Sequence, residues 1–144
     1  MSAFLSIKGL EVRYGATGNI VAVKGVDIEV DEGRIIAILG ANGAGKSSIL
    51  RAVTGLVQAS AGKIMFNGLN ITNMPAEKIV ALSVAHSPEG RQIFPDLTVF
   101  ENLMVGAFTL KSKKLIETQL VSNYALFPRL QERAQQIAGT LSGG

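Results

Sequence analysis

The sequence predicts an α/β fold, and three features of its residue order carry that prediction. The opening stretch, Leu5 to Val30, alternates apolar and polar positions as strands do. A short apolar run, Ile35 to Leu39, then passes into a glycine-rich loop and an amphipathic helical pattern. From about residue 90 onward the pattern is that of a helical lobe, which follows a loop from Pro88 to Leu97 with two prolines and one glycine. The length, 144 residues, suits one domain or part of a larger one.

Each element follows from its own signal. Leu5, Ile7, Leu10 and Val12 mark a strand from Leu5 to Tyr14. Ala16 to Asn19 is a turn cluster, and Ile20 to Val30 alternates again, with Gly25 as a kink. After the turn Asp31-Glu32-Gly33, the nearly continuous run Arg34 to Leu39 has the pattern of a strand buried on both faces. Lys46 to about Val57 reads as a helix with Ile49, Leu50, Val53 and Leu56 on one face. Lys63 to Phe66, Asn67-Gly68 and Leu69 to Ile71 read as a hairpin. Pro75 opens a short helix to about Leu82, and Ser83 to Ser87 has a strand pattern. Thr98 with Glu101 forms a capping box that starts another helix. Lys113 to Phe127 is helical, with Ile116, Leu120, Tyr124 and Phe127 on one face, and Pro128 ends it. A short helix from about Arg129 to Ile137 precedes the tail Thr140 to Gly144.

Composition removes several classes of function. Fourteen basic against 11 acidic residues leave a net charge of +3, too small and too dispersed for a nucleic-acid stripe. Cysteine is absent, which excludes disulfide scaffolds, cysteine-ligated zinc and a thiol nucleophile. At 47% hydrophobic and 17% charged, the chain is too apolar to be disordered. No run approaches the about 18 apolar residues of a membrane helix, and the N-terminus lacks a leader pattern, so a cytoplasmic location is expected.

The strongest chemical signal is Gly40-Ala41-Asn42-Gly43-Ala44-Gly45-Lys46-Ser47, the phosphate-loop pattern G-x-x-x-x-G-K-[ST]. Its glycines let successive backbone N–H groups turn inward around a phosphate, and the following helix adds its positive end. Lys46 supplies a point charge to the β- and γ-phosphates, and the Ser47 hydroxyl can ligate Mg²⁺. Ser48 completes the nucleotide-binding set. The spacing is wrong for the dinucleotide pattern G-x-G-x-x-G, so the expected cofactor is a nucleoside triphosphate with Mg²⁺; the resemblance given next implies that it is ATP.

Further landmarks narrow the field. Leu141-Ser142-Gly143-Gly144 resembles the start of the LSGGQ signature of ATP-binding-cassette (ABC) ATPases. Tyr14-Gly15 stands where that family carries an adenine-stacking aromatic. Phe94 to Val99 with Glu101-Asn102-Leu103 resembles the stretch after its Q-loop. Ala85-His86-Ser87-Pro88-Glu89-Gly90-Arg91, Phe127-Pro128-Arg129-Leu130 and Ala138 to Gly144 resemble the ATPase subunits of branched-chain amino-acid importers. Ser87 departs from that pattern, where valine is common.

The resemblance implies a P-loop NTPase core with an N-terminal antiparallel β subdomain over residues 1–89, and part of a helical subdomain over residues 90–144. It implies that Tyr14 stacks on adenine and that Glu89 reaches Mg²⁺ and the attacking water. Ser142, Gly143 and Gly144 would bind the γ-phosphate held by a second ATPase subunit in a head-to-tail dimer. The implied partners are permease subunits, which the helical region and the Glu89 loop would meet, and indirectly a solute-binding protein; no nucleic acid is expected. The location would be peripheral, on the inner face of the cell membrane. His86 precedes the Q-loop and so is not the family's switch histidine; a satisfied strand histidine is expected. Arg91 and the Lys111-Ser112-Lys113-Lys114 run read as solvated surface.

The family's Walker B strand, catalytic glutamate, D-loop and switch histidine have no counterpart in this sequence. The chain therefore reads as the N-terminal part of an ATPase that binds nucleotide better than it hydrolyses it. Apolar surface around Ile35 to Leu39 is expected to be exposed, with a tendency to associate or marginal stability. The rival readings are a nucleotide-binding module without turnover, an importer ATPase for urea or amides, and an ABC ATPase of DNA repair or translation, which the modest charge disfavours.

Overall fold

Strand β1 (Leu5–Tyr14) organises the first part of the chain, because it pairs on both edges. β2 (Ile20–Val30) lies antiparallel on one side and β3 (Ala61–Phe66) on the other, and β4 (Leu69–Asn70) closes the order β2-β1-β3-β4. The structure is a computed structural model that describes residues 3–90 and 92–141. Ile7 and Leu10 stand three apart and would face opposite sides of a regular strand. Both are buried, because the pairing with β2 shifts between Ile7 and Leu10 and that with β3 between Lys8 and Glu11. The hairpin falls where the sequence puts it: Asn67 and Gly68 take φ of 46° and 77°, which suits a two-residue primed turn.

Helix α1 (Lys46–Val53) packs on this sheet through Ile49, Ala52 and Val53. It is shorter than its apolar periodicity suggests. The Thr54 hydroxyl donates to the Leu50 carbonyl at 2.9 Å, and the amides of Leu56 and Val57 both turn back to the Arg51 carbonyl. Gly55, with φ of 72°, turns the chain out of the helix at this point, so Leu56, 60% exposed, lies beyond it, and Leu50, within α1, is 48% exposed and not on the buried face. Ile7, Leu10, Val12, Val23, Ile64, Ile71 and Ile79, the last from α2 (Ala76–Ala81), complete the core.

Two expected strands do not form among the described residues. Arg34 to Leu39 has no regular secondary structure and joins no ladder. Ile35 is 99% and Leu39 89% exposed, so this segment is not buried on both faces; its solvent exposure agrees with the other expectation for it. Only Ile38 packs against the core. Ser83 to Ser87 likewise has no strand partner. A strand requires a second strand beside it, and apolar periodicity alone does not supply one.

The described chain divides into two compact units, Met1–His86 and Ser87–Gly144. The second is helical: α3 (Val99–Gly106), α4 (Lys113–Leu126) and α5 (Pro128–Glu132), then a single 3₁₀ turn, Ala138–Thr140. The capping box forms as expected: Thr98 Oγ1 accepts from the Glu101 amide, and Glu101 accepts from the Thr98 amide at 2.8 Å. Asn102 then ties the preceding loop to α3, exchanging hydrogen bonds with the Phe94 backbone at 2.9 and 3.0 Å. Pro128 both stops α4 and starts α5, which is five residues long and does not reach Ile137. α4 has no fully buried residue, and Phe127, expected on its packed face, is 58% exposed. No helix of the described residues is long and apolar enough to cross a membrane.

Candidate functional site

The loop between the unpaired segment and α1 is shaped by its glycines. Gly43 and Gly45 take φ of 83° and 90°, a region that side chains disfavour. A Cβ on Gly45 would strike the Ala22 carbonyl oxygen of β2 and lie 3.2 Å from Val23 Cγ2. Gly45 therefore lets the start of α1 press directly on the sheet. A Cβ on Gly43 would meet nothing within 4 Å, so the loop beside it is open. The Ala44 amide donates to the Ala41 carbonyl at 3.1 Å and tightens the bend.

Lys46, the first residue of α1, folds its side chain back over this bend. Its ammonium donates to the Gly40 carbonyl at 2.9 Å and to the Ala41 carbonyl at 2.8 Å. An ammonium has three N–H donors, so one remains for an incoming oxygen. The fixed charge, the first-turn amides that lack a carbonyl of their own helix, and the helix dipole all favour an anion here. Ser47, exposed at the second position of α1, adds a hydroxyl. Among the described residues no group of three or more His, Cys, Asp or Glu could hold a metal. The donor set suits a Mg²⁺ carried chiefly by phosphate oxygens, with the Ser47 hydroxyl as one protein ligand.

Tyr14 joins the same site. Its ring packs half-buried against the sheet core, and its hydroxyl donates to Ser48 Oγ at 3.1 Å. Tyr14 and Ser48 stand 34 residues apart in the chain, and no spacing rule joins them. The backing of Gly45 by Ala22 and Val23 is equally invisible in a linear reading, since neither residue carries a motif. Gly40 and Asn42 lie in the exposed bend itself.

Glu89 is in an exposed loop of the second unit. Ser142, Gly143 and Gly144, and also Arg91, lie outside the described residues. His86 is half-buried with Nδ1 3.4 Å from Thr54 Oγ1. It is partnered as expected, although not in a strand. The Thr54 proton already goes to the Leu50 carbonyl, so the contact suits the tautomer protonated at Nδ1.

The chain is similar to "High-affinity branched-chain amino acid transport ATP-binding protein BraG" of Pseudomonas aeruginosa, at 44% identity over 88% of this chain and 54% of that protein. It is 35% identical to "Probable branched-chain amino acid transport ATP-binding protein LivF" of Archaeoglobus fulgidus, over 83% of this chain and 50% of the relative. It therefore spans about half the length of these curated relatives. Among solved structures, an ATP-binding subunit of an ABC transporter superposes with a TM-score of 0.80 at 29% identity, over 96% of this chain and 56% of that one. The ABC transporter family profile matches residues 23–144, a span that holds the phosphate loop and α1. With the glycine loop formed, Lys46 poised on it and the fold shared with solved cassettes, the chain belongs to the ABC transporter family.

Proposed function

We propose that this chain is the nucleotide-binding part of an ABC importer ATPase, coupling ATP hydrolysis to the uptake of branched-chain amino acids. The observation that carries the reading is the loop itself, bent at Gly43 and Gly45 and capped by Lys46. The similarity to proteins named as branched-chain amino-acid transport ATP-binding proteins supports the solute.

In this reading the loop amides and Lys46 hold the β- and γ-phosphates and neutralise their charge. Ser47 gives its hydroxyl oxygen to Mg²⁺, and Glu89 contributes a carboxylate oxygen. Tyr14 offers its ring face to the adenine. Bound Mg-ATP supplies a phosphoryl group whose transfer to water releases the energy for transport. Ser142, Gly143 and Gly144 serve the nucleotide of a second ATPase subunit in a head-to-tail dimer. The apolar groove of the second unit, lined by Ile93, Phe94, Leu103, Leu130 and Leu141, suits a permease segment at the inner face of the membrane.

The test is uptake of labelled leucine by cells whose chromosomal gene carries Lys46→Ala. Loss of uptake supports the reading. Unchanged leucine uptake with loss of labelled urea uptake would move the solute to the amide class, and no change in either would remove the importer assignment.

A further inference from the structure

Three hydroxyl side chains in or at the end of the helices bond backward to their own helix. Thr54, Thr118 and Ser122 each donate to the carbonyl of the residue four positions earlier, at 2.9, 2.9 and 3.1 Å. That geometry uses up the single hydroxyl proton. Ser48 differs. Its hydroxyl oxygen accepts from the Tyr14 phenol at 3.1 Å, in a partly buried setting.

Tyr14 is well placed to hold this bond. Its backbone pairs with Ile20 of β2, and its ring packs on the core, so the phenol oxygen is fixed by the sheet. Ser48 is the third residue of α1, in the turn whose amides face the loop. A phenol is the stronger donor of the two hydroxyls. With Tyr14 donating, Ser48 keeps its own proton, and the bond it accepts polarises that proton for donation onward.

We infer that Tyr14 acts on the phosphate end of the site through Ser48: the phenol orients the serine hydroxyl so that its proton points to a phosphate oxygen. The inference rests on the nucleotide-binding reading above. It makes Tyr14 a positioning residue for phosphate in addition to any contact of its ring with a base, and it makes Ser48 a specific donor. The coupling joins the end of β1 to the first turn of α1.

Calorimetry of the chain with Mg-ATP and with Mg-tripolyphosphate, which has no base, separates the two roles. Tyr14→Phe keeps the ring and removes only the donor. It is expected to weaken both ligands by about three- to tenfold, the size of one hydrogen bond. Ser48→Ala weakens both similarly, the double variant Tyr14→Phe/Ser48→Ala is no worse than the weaker single variant, and Ser48→Thr restores most of the affinity. Unchanged tripolyphosphate affinity in folded Tyr14→Phe, or additive losses in the double variant, would overturn the link while leaving ATP binding in place. Binding of neither ligand by the unaltered chain would overturn the nucleotide reading, and the link with it.

Discussion

Leu10 and Ile64 are fully removed from solvent, whereas Ile35 and Leu39 of the same unit stand 99% and 89% exposed. The side chains are of one kind, so hydrophobicity does not separate them. The difference lies in the backbone. β1 has a paired strand on each edge, and α1 covers its apolar face, while Arg34 to Leu39 has no ladder partner among the described residues. A fully exposed isoleucine forgoes roughly 1.5–3 kcal/mol of burial. Nevertheless, the glycine loop directly after this segment is formed, because it is anchored from its other end: Gly45 rests on Ala22, and Lys46 closes over Gly40 and Ala41. The phosphate loop belongs structurally to α1 and β2 more than to the segment that leads into it.

The contrast is sharpest in hydrogen exchange. Amides of β1 that pair with β2 and β3 open only with the core, while those of Ile35 to Leu39 meet no protecting carbonyl among the described residues. Protection is expected to differ on the order of a thousandfold or more. Equal protection of the two stretches would mean that Arg34 to Leu39 finds a partner in solution. Substitution gives the next largest effect. Leu10→Ala is expected to cost about 2–5 kcal/mol in denaturant unfolding, while Ile35→Ala stays within about 0.5 kcal/mol. A large loss on Ile35→Ala would show that its side chain is covered.

The second unit offers the opposite case, a signal that needs no distant partner. Thr98→Ala removes the cap of α3 and is expected to lower stability by about 1 kcal/mol. A smaller effect comes from pH. The Thr98 amide, then its hydroxyl, hold the Glu101 carboxylate below its ordinary value. A depressed folded-state value stabilises above the unfolded one and is lost as pH falls through the folded one. The start of α3 should therefore fray on acidification below the ordinary carboxylate range, as NMR of the Thr98 and Glu101 amides would record, and Glu101→Gln should remove that pH dependence.

The same distinction explains what was legible in the sequence. β1, β2, the Asn67-Gly68 hairpin and the capping box obey rules written within a few residues, and they formed where those rules put them. Arg34 to Leu39 and Ser83 to Ser87 carry strand composition, but pairing depends on residues far away. α1 stopped a turn early at Gly55, a local stop signal whose φ of 72° turns the chain out of the helix, although Leu56 continued the apolar spacing. At the site, the glycines and Lys46 were legible as a motif. The Tyr14–Ser48 bond was not, because it joins two elements across 34 residues. Glu89 takes its assigned role from its motif alone.

The most direct measurement is calorimetric titration of the chain with Mg-ATP, beside Lys46→Ala, with circular dichroism to establish that both are folded. A loop anchored by β2 and α1 predicts that the unaltered chain binds and that folded Lys46→Ala loses most of the affinity, even while Ile35 to Leu39 exchanges freely. A folded, unaltered chain that binds no nucleotide would contradict it, and would make the assembly of the site depend on covering the segment that leads into the loop.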